Sequence, residues 1–108
     1  MPDGTIDLDE VEALCKPEDP HCPVNRVLCL ETTHNLSGGR VIPMTFVKKA
    51  KKLARKHKMK LHLDGTRCLN AAAYLNITPA EMCKDFDTIS VCLTKGLGCP
   101  IGAMIVGK

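Results

Sequence analysis

A lysine set among glycines, Lys95 in the run Thr94-Lys95-Gly96-Leu97-Gly98, stands out for what it could do. Glycines leave room for a ligand to approach the amine. Partial desolvation lowers an amine's pKa, and the free amine condenses with an aldehyde to a Schiff base. Asp64 precedes Gly65, and Arg67 follows one turn later. A carboxylate facing a pyridine nitrogen keeps that nitrogen protonated, and the ring then accepts the electrons of a carbanion. A guanidinium holds a carboxylate by two parallel hydrogen bonds. A third polar group, Glu31, Thr32, His34 and Asn35, precedes Gly38-Gly39. Lysine, aspartate and arginine together make much of a site that handles amino acids on pyridoxal phosphate (PLP).

Each polar group follows a run that reads as a strand, β-branched and apolar in the case of Val24–Leu30. The pattern predicts strands over Val24–Leu30, Lys60–Leu63, Thr88–Leu93 and Ala103–Val106. Helices are expected at Asp7–Cys15, where Asp7 and Glu10 have capping-box spacing, and at Met44–Lys58. In the second of these Phe46, Ala50, Leu53, Ala54 and His57 share a face. Arg67–Leu75 is Ala-rich and helical, and Thr78-Pro79-Ala80-Glu81 reads as a helix start. Alternating strands and helices predict an α/β fold with a mainly parallel sheet. The last two strands are joined too tightly for a crossover, so the final one is expected antiparallel or out of the sheet. Ligands bind beyond the carboxyl ends of parallel strands, so the three polar groups should converge on one rim.

Composition narrows the function classes. Of 15 Lys and Arg, eight lie between Phe46 and Lys60 with no acid among them, and the net charge of +3 is therefore local to one segment. With only Phe46, Phe86 and Tyr74 as aromatics, there is no platform for stacking bases, so no nucleic-acid partner is expected. The basic helix reads as a solvated outer face, with a basic-helix binding module as the competing reading. No apolar run spans a bilayer, and no membrane partner is expected. Seven cysteines, an odd number without a CxxC, and an acidic start lacking an apolar run point to free, mostly buried thiols in a cytoplasmic setting. Cys15, Cys22 and Cys29 are spaced too widely for a metal site, and none is expected. Gly96-Leu97-Gly98-Cys99-Pro100-Ile101-Gly102 has the wrong glycine spacing for a dinucleotide loop and leads into a strand.

Three segments, Leu30–Pro43 (LETTHNLSGGRVIP), His62–Asn76 (HLDGTRCLNAAAYLN) and Val91–Gly107 (VCLTKGLGCPIGAMIVG), resemble those of the threonine aldolases in order and spacing. These are PLP enzymes of the aspartate-aminotransferase fold type. The resemblance implies that residues 1–108 are a portion of the large PLP-binding domain. That domain is a three-layer α/β/α structure, and its N-terminal phosphate-binding part and C-terminal small domain are absent here. The sequence stops at Gly107-Lys108, inside or just after a strand, as a partial chain would.

By the same resemblance Lys95 matches the lysine that binds the cofactor, and Asp64 the aspartate that pairs with the pyridine nitrogen. Arg67 matches an arginine for the substrate carboxylate, and His34 the histidine near the substrate hydroxyl. The implied reaction cleaves threonine or allo-threonine to glycine and acetaldehyde. The implied partners are a small amino acid and further copies of the chain in a homo-oligomer. Thr66 stands where the family usually has Ala, and Thr94 where it often has Ser. A catalytically inactive, truncated remnant of the family is the other reading. His62, alternating with Asp64, is expected to be structural, and Asn35 with Gly38-Gly39 to shape a loop.

Overall fold

A computed structural model describes residues 1–107, and Lys108 lies outside the described residues. The elements run α1 (Leu8–Leu14), β1 (Val27–Glu31), a 3-10 turn (Asn35–Ser37), α2 (Met44–Lys56), β2 (Lys60–Asp64), α3 (Cys68–Leu75), α4 (Pro79–Cys83), β3 (Thr88–Cys92) and β4 (Ala103–Gly107). Asp7 caps α1, its Oδ1 accepting the N–H groups of Asp9 and Glu10 at 2.9 and 3.2 Å. Thr78 and Glu81 close the capping box of α4: the Glu81 N–H donates to Thr78 Oγ1 at 3.1 Å and the Thr78 N–H to Glu81 Oε2 at 3.2 Å.

Two boundaries differ from the sequence expectation by more than one residue. β1 starts at Val27, not Val24, because its partner begins at Lys60, whose N–H donates to the Arg26 carbonyl. Upstream of Arg26 there is no strand to pair with, and the Asn25 side chain instead accepts the Lys16 N–H at 3.0 Å. α2 stops two residues early because Lys58 takes a left-handed conformation (φ 54°). The N–H groups of Met59 and Lys58 then bond back to the carbonyls of Ala54 and Arg55, a Schellman ending. Its buried face is Val47, Ala50, Leu53 and Ala54. Phe46 is only half-buried and Val47 takes the central position, because two alanines on that stripe bring the helix close to the sheet.

The sheet order is β1-β2-β3-β4, parallel across the first three strands and antiparallel at β3–β4. Two successive right-handed crossovers in the same direction place their helices on the same face. Leu28 and Leu30 of β1, Leu61 and Leu63 of β2 and Ile89 of β3 are accordingly buried in one cluster with Val47, Ala50 and Ala54 of α2. The other face carries Val27, Cys29, His62, Thr88 and Ser90, and no strand residue on it is buried. All five residues of β4 are exposed. A one-sided sheet also explains the 14.6 Å radius of gyration, above the ~13 Å of a compact chain this long. This is the mixed α/β fold with a final antiparallel strand that the sequence predicts, with the helices of these residues in one layer.

Asp87 sets the start of β3. Its N–H donates to the Leu61 carbonyl at 2.8 Å, while its Oδ2 accepts the Leu61 N–H at 2.9 Å. Bonds to that N–H, with Lys60 nearby, hold its carboxyl below the usual range. Only Cys68 of the seven cysteines is buried; Cys29 is exposed and five are half-buried, which corrects the expectation of mostly buried thiols. The correction follows from the uncovered sheet face, on which Cys29 and Cys92 lie. No helix among the described residues is long and apolar enough to cross a membrane.

Leu63 is fully buried between sheet and helix. Leu63→Ala should lower unfolding free energy by about 2–5 kcal/mol in urea titration, from lost transfer energy plus the cavity left. A Cβ at Gly65 would lie 2.8 Å from Ile89 Cγ2 and 2.9 Å from the Ser90 carbonyl oxygen. Gly65→Ala should therefore cost ~1–3 kcal/mol by overpacking; an unchanged urea midpoint in either variant would contradict this packing.

Candidate active site

Glu31, Asp64 and Ser90 stand in register across β1, β2 and β3, so the carboxyl ends of the three parallel strands form one rim. The residues that follow those ends are His34, Arg67 and Lys95. Topology therefore brings the predicted site residues to a single edge of the sheet.

His34 sits just past β1, at the entry to the 3-10 turn. Its backbone N–H donates to the Arg40 carbonyl at 2.8 Å and its carbonyl accepts the Gly39 N–H at 2.9 Å, closing the loop. Gly38 and Gly39 make the return, with φ of 75° and 76° that other residues rarely adopt. The ring is fixed by a 2.8 Å bond between Nδ1 and Ser37 Oγ. Its Nε2 lies 3.8 Å from Glu31 Oε2. His34, Glu31 and Asp64 line one cleft of about 360 Å³, together with Gly4 and Thr5 of the N-terminal turn.

Asp64 ends β2 with its side chain exposed. The Thr66 hydroxyl donates to its Oδ1 at 2.7 Å and the Thr66 N–H at 3.2 Å. The hydroxyl bond is the main reason its carboxyl is held below the ordinary 3.8, with His62 and Arg67 adding positive charge nearby. The threonine that departs from the usual alanine thus acts to keep Asp64 ionised. His62 lies on the same sheet face and bonds through Nδ1 to Thr88 Oγ1 at 2.8 Å, a structural link between strands, as expected.

Arg67 is the N-cap of α3. It lines a second, larger cleft of about 680 Å³ with Arg40, Ser37, Asn70 and Tyr74. Two guanidinium groups there make an anion-attracting hollow.

Lys95 lies outside both clefts, exposed on the loop after β3. Its Nζ is 3.7 Å from Cys92 Sγ, which in turn is 3.0 Å from Thr94 Oγ1. Thr94 and then Lys95 hold the Cys92 thiol below its usual pKa. The loop abuts α3 at Gly96, where a Cβ would lie 2.6 Å from Asn70 Oδ1. Three groups near the site escaped the sequence reading. Ser37 stands three residues after His34 and Cys92 three before Lys95, spacings that a search for side-chain partners would flag. Arg40 follows the glycine pair, and only the fold shows that it shares a cleft with Arg67.

A mainly parallel α/β sheet thus carries a lysine loop, an aspartate biased toward its charged form and an arginine along its carboxyl rim. The beta-eliminating lyase family model matches residues 1–108, and the chain belongs to that family. Low-specificity L-threonine aldolase 1 of Arabidopsis thaliana is 42% identical over 110 residues, spanning 98% of this chain and 30% of that protein. The low specificity L-threonine aldolase of Escherichia coli K12 is 39% identical over 106 residues, spanning 98% of this chain and 31% of that protein. A Listeria monocytogenes structure provisionally assigned as an L-allo-threonine aldolase superposes with a TM-score of 0.79. It is 25% identical, and the match covers 95% of this chain and 27% of that one. The resemblance to threonine aldolases is thus upheld, and that family is PLP-dependent. The chain spans about 30% of the length of these curated relatives.

The Thr66 hydroxyl is testable through Asp64. A carboxyl whose folded pKa is depressed contributes its stability above its ordinary 3.8 and loses it as pH falls through the lower folded value. Thr66→Val should move the Asp64 titration, followed by carboxyl NMR shifts, upward toward 3.8, so that protonation begins at higher pH. An unmoved titration would remove Thr66 as the cause.

Proposed function

We propose that this chain carries much of the catalytic centre of a PLP-dependent carbon–carbon lyase that cleaves threonine or allo-threonine to glycine and acetaldehyde. The observation that supports this most directly is the shared rim of β1, β2 and β3, which gathers His34, Asp64 and Lys95, with Arg67 opening the adjacent helix. The residues present suit the cofactor. Lys95 has an exposed amine with no carboxylate partner among the described residues, and Asp64 is a carboxylate biased toward ionisation. When bound, PLP supplies an electron sink for the pair left on the substrate's α-carbon.

The chain's own residues would divide the remaining work. Lys95 would hold the cofactor's aldehyde carbon, and Gly96 and Gly98 would leave its amine open. Asp64 would pair with the pyridine nitrogen, and its negative charge would keep the proton there. Arg67 would fix the substrate carboxylate by a two-point bond, and so orient the bond to be broken. His34 donates or accepts at Ser37 through Nδ1, which leaves Nε2, 3.8 Å from Glu31 Oε2, as the ring nitrogen that would meet the substrate. With the proton on Nδ1, Nε2 would accept the hydroxyl proton as the Cα–Cβ bond breaks. The whole protein would act on a small amino acid and assemble as a homo-oligomer. Seven cysteines free of disulfides suit the reducing, cytoplasmic setting that composition suggests.

The basic-helix module has less support. Lys51 pairs with Asp85 at 2.7 Å, Lys56 with Glu12, Lys58 with Glu18 at 3.4 Å and Lys60 with Asp87 at 3.4 Å. Half of that segment's basic side chains are thus engaged with acids of other segments.

The test is cofactor uptake. PLP added to the purified chain should give a visible absorption band, and borohydride reduction with mass spectrometry should place the label on Lys95. Lys95→Ala should lose both the band and the label. The basic segment makes this control necessary. Labelling scattered over α2, or persisting in Lys95→Ala, would favour the inactive-remnant reading instead.

A further inference from the structure

The cleft of about 680 Å³ lies between one side of α3 and the loop that links β1 to α2. Arg67, Asn70 and Tyr74 are spaced three and four residues apart, so they share one side of the helix and form one wall. The facing wall is the loop from Ser37 to Arg40. An antiparallel bridge pairs His34 with Arg40 and fixes where that loop ends, the His34 N–H donating to the Arg40 carbonyl at 2.8 Å. A Cβ at Gly38 or Gly39 would meet nothing within 4 Å, so the loop backbone itself borders open space.

The lining is one-sided in its chemistry. Arg40, Arg67, the Asn70 amide and the Tyr74 hydroxyl all offer N–H or O–H donors, and there is no Asp or Glu among the lining residues. Neither guanidinium has a hydrogen bond or an ion pair among the described residues. Asp64 feels the charge of Arg67, but it lines the other cleft. Tyr74 is 79% exposed, so its hydroxyl is available to a ligand. Two cations border one hollow, and an oxyanion bound between them would relieve their repulsion.

We propose that Arg40 is a second anion anchor beside Arg67, and that the cleft takes a small molecule with two acidic groups. This rests on the assignment of the substrate carboxylate to Arg67. Arg40 would hold a further carboxylate or a phosphate carried on the same molecule. The planar fork of a guanidinium suits either, since it meets two oxygens at once. Threonine would occupy the Arg67 end alone, and an amino acid with an acidic side chain would occupy both.

The test is a titration of the purified chain at fixed ionic strength, following the arginine Nε–H signals by NMR. Acetate carries one acidic group, succinate two carboxylates, and phosphoglycolate a carboxylate and a phosphate. Succinate or phosphoglycolate should bind about tenfold more tightly than acetate, the effect of one added charged hydrogen-bonded pair. Whichever is tighter names the second group. Arg40→Gln should bring both to the level of acetate, and because Arg40 is exposed its side chain is not needed for folding. Lys48→Gln, Lys49→Gln and Lys52→Gln together, all on exposed positions of α2, should leave the preference in place. Equal affinity for the three anions would overturn the proposal. So would a preference that survives Arg40→Gln, or one that vanishes with the α2 lysines. The Lys95 label separates this inference from the lyase reading. A chain that takes PLP on Lys95 but shows no dianion preference loses the inference alone. A chain with an Arg40-dependent preference and no label keeps the anchor and loses the lyase reading.

Discussion

Leu28 and Leu30, Leu61 and Leu63, and Ile89 occupy neighbouring positions in three parallel strands, and their burial beneath α2 holds those strands in one register. Strand side chains alternate faces with a period of two, so a slip of one residue in β2 would turn Leu61 and Leu63 outward and His62 inward. The apolar cost of that slip protects the polar end. Because Leu63 is buried, the residue after it, Asp64, has its side chain on the other face. Because Leu30 is opposite Leu63, Glu31 is opposite Asp64. The chemistry at the rim is thus positioned by leucines that take no part in it.

Close backbone approaches finish what the register begins. Gly65 lets the chain leave β2 against Ile89 and the Ser90 carbonyl, and the α3 N-terminus follows at once. Gly96 lets the Lys95 loop rest on Asn70 of α3. The loop that bears the lysine therefore touches the helix that bears the arginine at its start. Two glycines, at contacts where any side chain would collide, connect elements far apart in sequence.

Much of this was legible in the residues. Strand and helix types followed from apolar periodicity and from caps such as Asp7 and the Thr78–Glu81 pair, which are local signals. The antiparallel end followed from the short Leu93–Gly102 connection. What was not legible depends on partners distant in sequence. Val24 looks like strand, yet nothing beyond Lys60 is there to pair with it. Phe46 looks like core, yet two alanines let Val47 take the centre. The polar groups at strand ends suggested a rim, but the roles of His34, Asp64, Arg67 and Lys95 came from resemblance to a family. The bonds of Thr66 to Asp64 and of Ser37 to His34, and the cleft that Arg40 shares with Arg67, became visible only in three dimensions.

Asp87 imitates one more residue of strand pairing, bonding to both the N–H and the carbonyl of Leu61. It works as the zero mark of a ruler laid along β2 and β3. From Leu61 to Asp64 the chain climbs three residues, ~10 Å at ~3.3 Å each, and β3 climbs beside it toward Lys95. Length changes before the mark, in the turn between α4 and Asp87, would be absorbed by that turn and leave the graduation untouched. A single residue inserted after it, between Asp87 and Lys95, would shift the lysine against the aspartate by a full division. Tolerance to insertion in this molecule should therefore change abruptly at one carboxylate.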